Sequence, residues 1–344
     1  MASQKDVAKL AGVSHGTVSN VIRGDRYVAP ETEQKVREAI KELNYEVNSI
    51  ASSLKSKKTD TVGFIVSDIF GSFYAGVTKT IQERFRKHGS SMIICYSGDD
   101  PEQESRYLRV LKSRQVDGII LTPASDDNRD QINRLVESGT SVVIVDNYIE
   151  GIRGDFVGVD NFGGAFNAVE HLIQNGFRDI AIVDANTGYT GRERYRGYRN
   201  ALEKHGLSKR GSREALADYR KKDVYALADH LFTGDDRPDA VFTTALFTTL
   251  ATYKDLHDRS LLVPDDVAMV GFDDVSTGSH LTEPLELASL PITCVRQPIH
   301  EIGTEAAELL ISRIEADDSG TPFEPKKIEL GTELVIRNSS APKR

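Results

Sequence analysis

At 344 residues the chain exceeds what one hydrophobic core usually organises, so two or three folding units are expected. Hydrophobic residues at 39% and charged residues at 28% describe an ordinary globular protein, and no apolar run approaches the roughly 18 residues a membrane span needs. The formal charge of −9 argues against nucleic acid until it is divided: residues 1–58 hold ten Lys/Arg against seven Asp/Glu, leaving a net of −12 on the rest.

A basic head can meet phosphates while an acidic body is repelled from them. The start, Met1 to Asp6, has no apolar signal core, which places the protein in the cytosol as an expectation. The two cysteines, Cys95 and Cys294, lie in separate apolar segments without a CxxC or Cys/His cluster, and read as structural thiols.

Three short helices are expected in the first 45 residues. Ser3 and Asp6 form a capping-box pattern ahead of an apolar face of Val7, Leu10 and Ala11. Gly12-Val13-Ser14 turns the chain, and Ser14 is placed to cap a second helix with Val18, Val21 and Ile22 on one side, stopped by Gly24. Pro30 suits the first turn of a third helix carrying Val36, Ile40 and Leu43. Two helices joined by a tight turn and braced by a third describe a helix-turn-helix domain, residues 1–46.

Residues 47–59 are small, polar and basic, with too little apolar surface to fold alone, and read as a linker or conditional helix. Beyond them apolar runs at 62–66, 92–95, 118–121, 142–145, 180–183, 240–242 and 267–270 alternate with helical stretches. That alternation predicts parallel α/β layers, and its length predicts two doubly wound subdomains with a cleft between them.

The run Asp6-Val7-Ala8-Lys9-Leu10-Ala11-Gly12-Val13-Ser14, with Thr17-Val18-Ser19-Asn20-Val21-Ile22 after it, resembles the head of the lactose/galactose repressor (LacI/GalR) family. Glu42-Leu43-Asn44-Tyr45, Thr61-Val62-Gly63, Val116-Asp117-Gly118-Ile119-Ile120, Val159-Asp160-Asn161, Val270-Gly271-Phe272-Asp273-Asp274 and Val295-Arg296-Gln297-Pro298 extend the likeness in order along the chain. The resemblance implies a transcription regulator, most naturally a repressor of carbohydrate or related catabolic genes. It implies a body like a periplasmic sugar-binding protein, residues 60–344, crossed three times by the chain. The expected N-subdomain is about 60–158 plus 292–322 and the C-subdomain about 159–291 plus 323–344.

The resemblance also assigns roles. His15, Gly16 and Asn20 fall where the second helix meets base edges in the major groove, and Asn20 can make a bidentate pair with adenine. Gly16 departs from the side-chain-bearing residue usual there, so fewer contacts read the sequence. Thr17 and Ser19 suit phosphate positioning. Leu54 falls where paired hinge helices wedge a leucine into the minor groove, with Asn48 as cap, Ala51 at the helix contact and Lys55, Lys57 and Lys58 toward phosphates. Ser52 stands where several relatives carry a basic residue.

For the effector, Phe73 and Tyr74 would form an apolar wall, Asp160 and Asp273 would accept hydrogen bonds, Arg194 would be the principal donor, and Tyr219 completes the set. Such a mixture suits a sugar or sugar derivative. An arginine in the cleft, away from the head, should be replaceable without harm to the fold. Ala245-Leu246 replaces a polar pair of many relatives, so an unusual sugar, a sugar acid or another metabolite is expected. The segment 285–290 is longer than its counterpart.

The partners expected are a pseudo-palindromic operator, the effector and a second copy of the chain; the end at Lys343-Arg344, without an apolar heptad, favours a dimer over a tetramer. No cofactor or metal is expected: the sequence has no phosphate-loop motif and no HExxH spacing. Gly12-Val13-Ser14-His15-Gly16 matches the G-x-S-x-G nucleophile pattern, but that motif needs a strand entering the turn, and here a helix enters it. The body alone would also suit a periplasmic-type solute-binding protein; the head opposes that alternative.

Overall fold

In a computed structural model, residues 2–23, 26–45, 58–69, 71–184, 188–207, 213–216, 228–234, 236–274, 291–316 and 324–342 are described. They divide into two compact units, Met1–Thr59 and Asp60–Arg344.

The first unit is three helices: α1 (Gln4–Ala11), α2 (His15–Arg23) and α3 (Pro30–Glu42). The Ser3/Asp6 capping box is present, and Gly12 ends α1 with φ 65°, a left-handed conformation that glycine adopts without steric cost. Val7, Ala8, Val18, Val21, Val36 and Ala39 form the core, with Ile40 and Leu43 packed against it. Leu10 is a correction to the expected face. It is 46% exposed, because the buried stripe of α1 runs through Val7, Ala8 and Ala11 and leaves Leu10 at its edge. Gly24 lies outside the described residues.

The second unit holds two sheets of six strands. The first has the order β11-β5-β4-β3-β1-β2, built from β1 (Thr61–Val66), β2 (Ser91–Tyr96), β3 (Gly118–Leu121), β4 (Ser141–Val145), β5 (Asp155–Val159) and β11 (Lys327–Leu330). All of its pairings are parallel. Helices α4 (Ser72–His88) and α10 (Ile299–Ala316) cover one face through Val77, Ile81, Phe85, Ile302 and Leu310. Helices α5 (Pro101–Ser113) and α6 (Arg129–Glu137) cover the other through Leu108, Leu111, Ile132 and Leu135.

The second sheet has the order β12-β10-β9-β8-β6-β7, from β6 (Ile180–Asp184), β7 (Glu214–Leu216), β8 (Ala240–Thr243), β9 (Ala268–Phe272), β10 (Thr293–Arg296) and β12 (Glu333–Val335). It is parallel except for β12, which runs antiparallel to β10. Helices α7 (Asn161–Gln174) and α8 (Tyr189–Lys204) pack on one face, and α9 (Leu246–Asp258) on the other.

The chain passes between sheets three times, after β5, after β10 and after β11. The last two crossings fall elsewhere than expected. Strand β10 belongs to the second sheet, in register with Val270–Phe272, and β11 to the first, where Ile328 and Leu330 extend the core along β5. Residues 292–297 therefore belong with the C-subdomain and 324–330 with the N-subdomain. Buried carboxylates pin these strands. Asp155 accepts from Arg313 and from Lys326 N, and Asp274 accepts from Arg296 and Arg337. Both cysteines are buried, Cys95 in β2 and Cys294 in β10, where burial pushes the Cys294 thiol up to about 12.

Candidate functional site

In the first unit, Ser14 Oγ accepts from Thr17 N at 3.1 Å and meets Thr17 Oγ1 at 2.9 Å, fixing the start of α2. Val18 and Val21 turn inward, so His15 and Gly16 project into solvent while Thr17, Ser19 and Asn20 are half-buried. A Cβ on Gly16 would meet only Ser14 Oγ, at 3.7 Å, an ordinary contact. Packing therefore does not demand a glycine there. Tyr27, 90% exposed between α2 and α3, is a surface aromatic that periodicity could not flag. Asn48, Ala51, Ser52, Leu54, Lys55 and Lys57 lie outside the described residues, as do Tyr219 and the segment 285–290.

In the second unit, a cavity of about 470 Å³ lies beyond the carboxyl ends of strands from both sheets, where open α/β folds place ligands. Arg194 is its most constrained polar group. A Cβ at Gly197 would lie 2.4 Å from Phe162 O, so glycine is what allows α8 to approach α7 this closely. One turn earlier, Arg194 then reaches the start of α7. Its Nε donates to Asn161 Oδ1 at 2.8 Å, its Nη1 to Thr244 O at 2.7 Å, and its guanidinium lies 3.6 Å above the Phe272 ring centroid. The side chain is only 4% exposed.

Facing it are groups from both subdomains. Tyr74 donates to Asp146 Oδ2 at 2.8 Å, and Phe73 sits edge-on to Tyr74 at 5.0 Å. Asp273 Oδ1 accepts from Gln297 Nε2 at 2.6 Å. Asp146 and Asp273 adopt φ of 71° and 76°, a region that costs a side-chain-bearing residue energy and that asparagine and aspartate tolerate best. Burial pushes the Asp146 carboxyl up, against the opposing pull of Arg194. Gln297 Oε1 is buried without a hydrogen-bond partner, and Ser67 Oγ lies beside the Tyr74 phenol without a hydrogen bond of good geometry. Both line the cavity. Polar atoms left unsatisfied at such a wall cost about 1–3 kcal/mol each until a ligand or water meets them.

Four expected effector residues, Phe73, Tyr74, Arg194 and Asp273, thus come together. Asp160 does not join them. Its Oδ1 accepts from Gly163 N at 2.7 Å and caps α7 at an exposed position. Asp146, Asn147, Ser67 and Gln297 were missed; each follows the end of a strand, a place that periodicity marks but whose side-chain aim it does not reveal. Ala245, Leu246 and Phe247 line the cavity, so the pair that replaces the polar residues of many relatives does lie at the site. Across the cleft, Thr190 N and Oγ1 both donate to Asn147 Oδ1, at 3.3 and 3.2 Å. Beneath the wall, Glu104 is fully buried, accepting from Ala124 N at 2.7 Å and Asn128 Nδ2 at 2.8 Å, and burial raises its carboxyl to about 7.

A family model described as "Bacterial regulatory proteins, lacI family" matches residues 3–48, and one described as "Periplasmic binding protein-like domain" matches 169–340. The chain is 31% identical over 340 residues to the HTH-type transcriptional repressor PurR of Haemophilus influenzae strain PittEE, covering 98% of each. The chain belongs to the LacI family. It is 32% identical over 342 residues to the repressor of the same name from Mannheimia succiniciproducens strain KCTC 0769BP / MBEL55E, again covering 98% of each. Among solved structures, a complex of the transcriptional regulator CelR with cellobiose shares 32% identity at a TM-score of 0.68, over 98% of this chain and 100% of that one. The lac repressor dimer bound to operator and the anti-inducer ONPF shares the fold at a TM-score of 0.80 and 21% identity, over 99% of each chain. As a LacI-family member the protein is a DNA-binding transcriptional regulator with a ligand-binding body. Its relatives are repressors rather than enzymes. No described helix is long and apolar enough to cross a membrane.

Proposed function

We propose that the protein is a cytosolic homodimeric repressor whose operator binding is set by a sugar or sugar derivative held between the two subdomains. The observation that carries this reading is the cavity. It is walled by both subdomains, holds a buried guanidinium and two carboxylates at the ends of strands, and keeps at least one unsatisfied acceptor, Gln297 Oε1. A ligand rich in hydroxyl donors supplies what that acceptor lacks, and contact with both subdomains favours one relative arrangement of them over others.

On the DNA side, His15 and Asn20 read base edges, Gly16 leaves its position unread, and Thr17 and Ser19 hold phosphates. One short recognition helix reads few base pairs, so two copies on a pseudo-palindrome supply the specificity. Asn48, Ala51, Leu54 and Lys55 act as the hinge, with Leu54 wedged into the minor groove, a reading that rests on the family resemblance. The reading assigns no catalytic role to the G-x-S-x-G pattern, whose Ser14 caps a helix and follows the helix α1 instead of a strand.

The test is selection of binding sites from random duplex DNA by the full chain, followed by sedimentation of the complex. Two half-sites about one helical turn apart bound by two chains are expected. Enrichment of a single asymmetric half-site bound by one chain contradicts the proposal.

A further inference from the structure

Helix α8 belongs to the C-subdomain, where Tyr198, Ala201 and Leu202 pack it on the second sheet. Its first residue packs elsewhere. Tyr189 lies against the core of the N-subdomain, its ring 5.6 Å from that of Tyr148 and 6.3 Å from that of Phe156, edge-on to both. Tyr148 and Phe156 themselves meet edge-on at 5.1 Å, so the three rings form one cluster with members from both subdomains.

Strand β11 closes the cluster. Lys327 Nζ lies 4.8 Å from the Tyr148 ring centroid and 5.9 Å from each of the other two. Glu329 pairs with Lys327 at 3.1 Å and accepts from the Tyr189 hydroxyl at 3.3 Å. Lys327 and Glu329 are 44% and 41% exposed, so their pairing contributes little. The rings carry the contact, because separating them returns apolar surface to water. The neighbouring contact across the cleft, from Thr190 to Asn147, consists of hydrogen bonds at 3.3 and 3.2 Å that water can replace at small net cost.

Arg194 follows Tyr189 on the same helix, at a rise of about 7.5 Å. Docking the start of α8 on the N-subdomain therefore fixes how far the Arg194 guanidinium stands from Tyr74 and Asp146 on the opposite wall, near enough for Asp146 to feel its charge. Resting on the reading of this cavity as the effector site, we propose that Tyr189 is a positioning residue of that site: its ring clasps the C-subdomain to Tyr148 and Phe156 and so sets the width of the cleft. The clasp is made in the body without a ligand, so the two walls are held in place before a ligand arrives, and a ligand enters and leaves when the clasp opens.

The experiment uses the full chain with no ligand added. Spin labels at Arg134→Cys on α6 and Asn167→Cys on α7, both exposed positions, report the separation of the subdomains by pulsed electron resonance; the native cysteines are buried, and labelled chain is diluted into unlabelled chain so that one pair is read. Tyr189→Ala should shift the ratio of closed to open arrangements by about tenfold or more. Tyr148→Leu, from the opposite subdomain, should open the cleft in the same way, and the double variant should go no further than the larger single one. Tyr189→Phe keeps the ring and should match wild type. Each variant is checked for cooperative melting, and Tyr148→Leu decides alone if Tyr189→Ala does not fold. Distances that match wild type in both single variants overturn the proposal. So does a Tyr189→Phe variant that opens as far as Tyr189→Ala, which places the clasp in the hydroxyl, or a double variant that shows the sum of the singles. These outcomes bear on the clasp alone; failure of the effector reading shows separately, as a body whose melting no sugar changes.

Discussion

Replacing Arg194 by alanine removes more than a ligand contact. The sequence alone suggested an arginine that could be lost without harm to the fold, but the side chain is 4% exposed and donates to two protein acceptors. Asn161, itself 2% exposed, loses the donor at 2.8 Å, Thr244 O loses the one at 2.7 Å, and Phe272 loses the cation above its ring. A hydrogen bond from a charged donor contributes about 1.5–3 kcal/mol, and a desolvated cation–π contact about 2 kcal/mol. Water from the adjoining cavity recovers part of this, leaving a net loss of about 2–4 kcal/mol in the body. For a domain of this size that lowers the melting temperature by roughly 3–7 °C. Arg194→Lys keeps the charge but not the fork, so it should fall between the two. Calorimetric melting of the full chain, alongside ligand titration, measures both consequences. A variant that melts with wild type would refute the argument, because it would mean the guanidinium holds nothing in the unliganded body.

Asn20→Ala should cost roughly 1–3 kcal/mol at one symmetric pair of operator positions and leave binding to random DNA nearly unchanged, as read by competition against singly substituted operators. Gly16→Ala should stabilise the head by about 0.5–1 kcal/mol in thermal unfolding, since its Cβ makes only an ordinary contact in a helix; a loss of stability would show a hidden close approach. Glu104 gives a pH dependence of definite sign. Its folded carboxyl sits at about 7 against an ordinary 4.5, so its contribution to stability is full below the ordinary value and is lost as pH rises toward 7. Denaturant midpoints between pH 4.5 and 8 should therefore show a decline, up to about 3 kcal/mol, that Glu104→Gln flattens. An unchanged profile in that variant assigns the decline to other groups.

How much was legible follows from what a period can carry. The helices of the head and seven strands were written in apolar spacing and caps, because each buries one face and needs defined ends. Strands β7, β11 and β12 are short or half-exposed, and their pairing, like that of the buried β5 with β11, depends on distant segments, so the crossings could not be positioned from spacing. At the cavity, Phe73, Tyr74, Arg194 and Asp273 came from the family resemblance, while Asp146 and Gln297 depend on where a strand releases the chain. Asp160 shows the converse limit: beside Asn161 at the start of α7, it was spent on capping the helix, a demand that sequence likeness does not separate from ligand binding.

The central claim is that occupancy of the cavity controls the head. It is tested most directly by measuring affinity of the full chain for its selected operator with and without a saturating cavity ligand, the latter found by its effect on melting. A change of about tenfold or more in either direction is predicted, in the usual range of coupling between sites. Operator affinity that stays within about twofold while the ligand demonstrably fills the cavity contradicts the account.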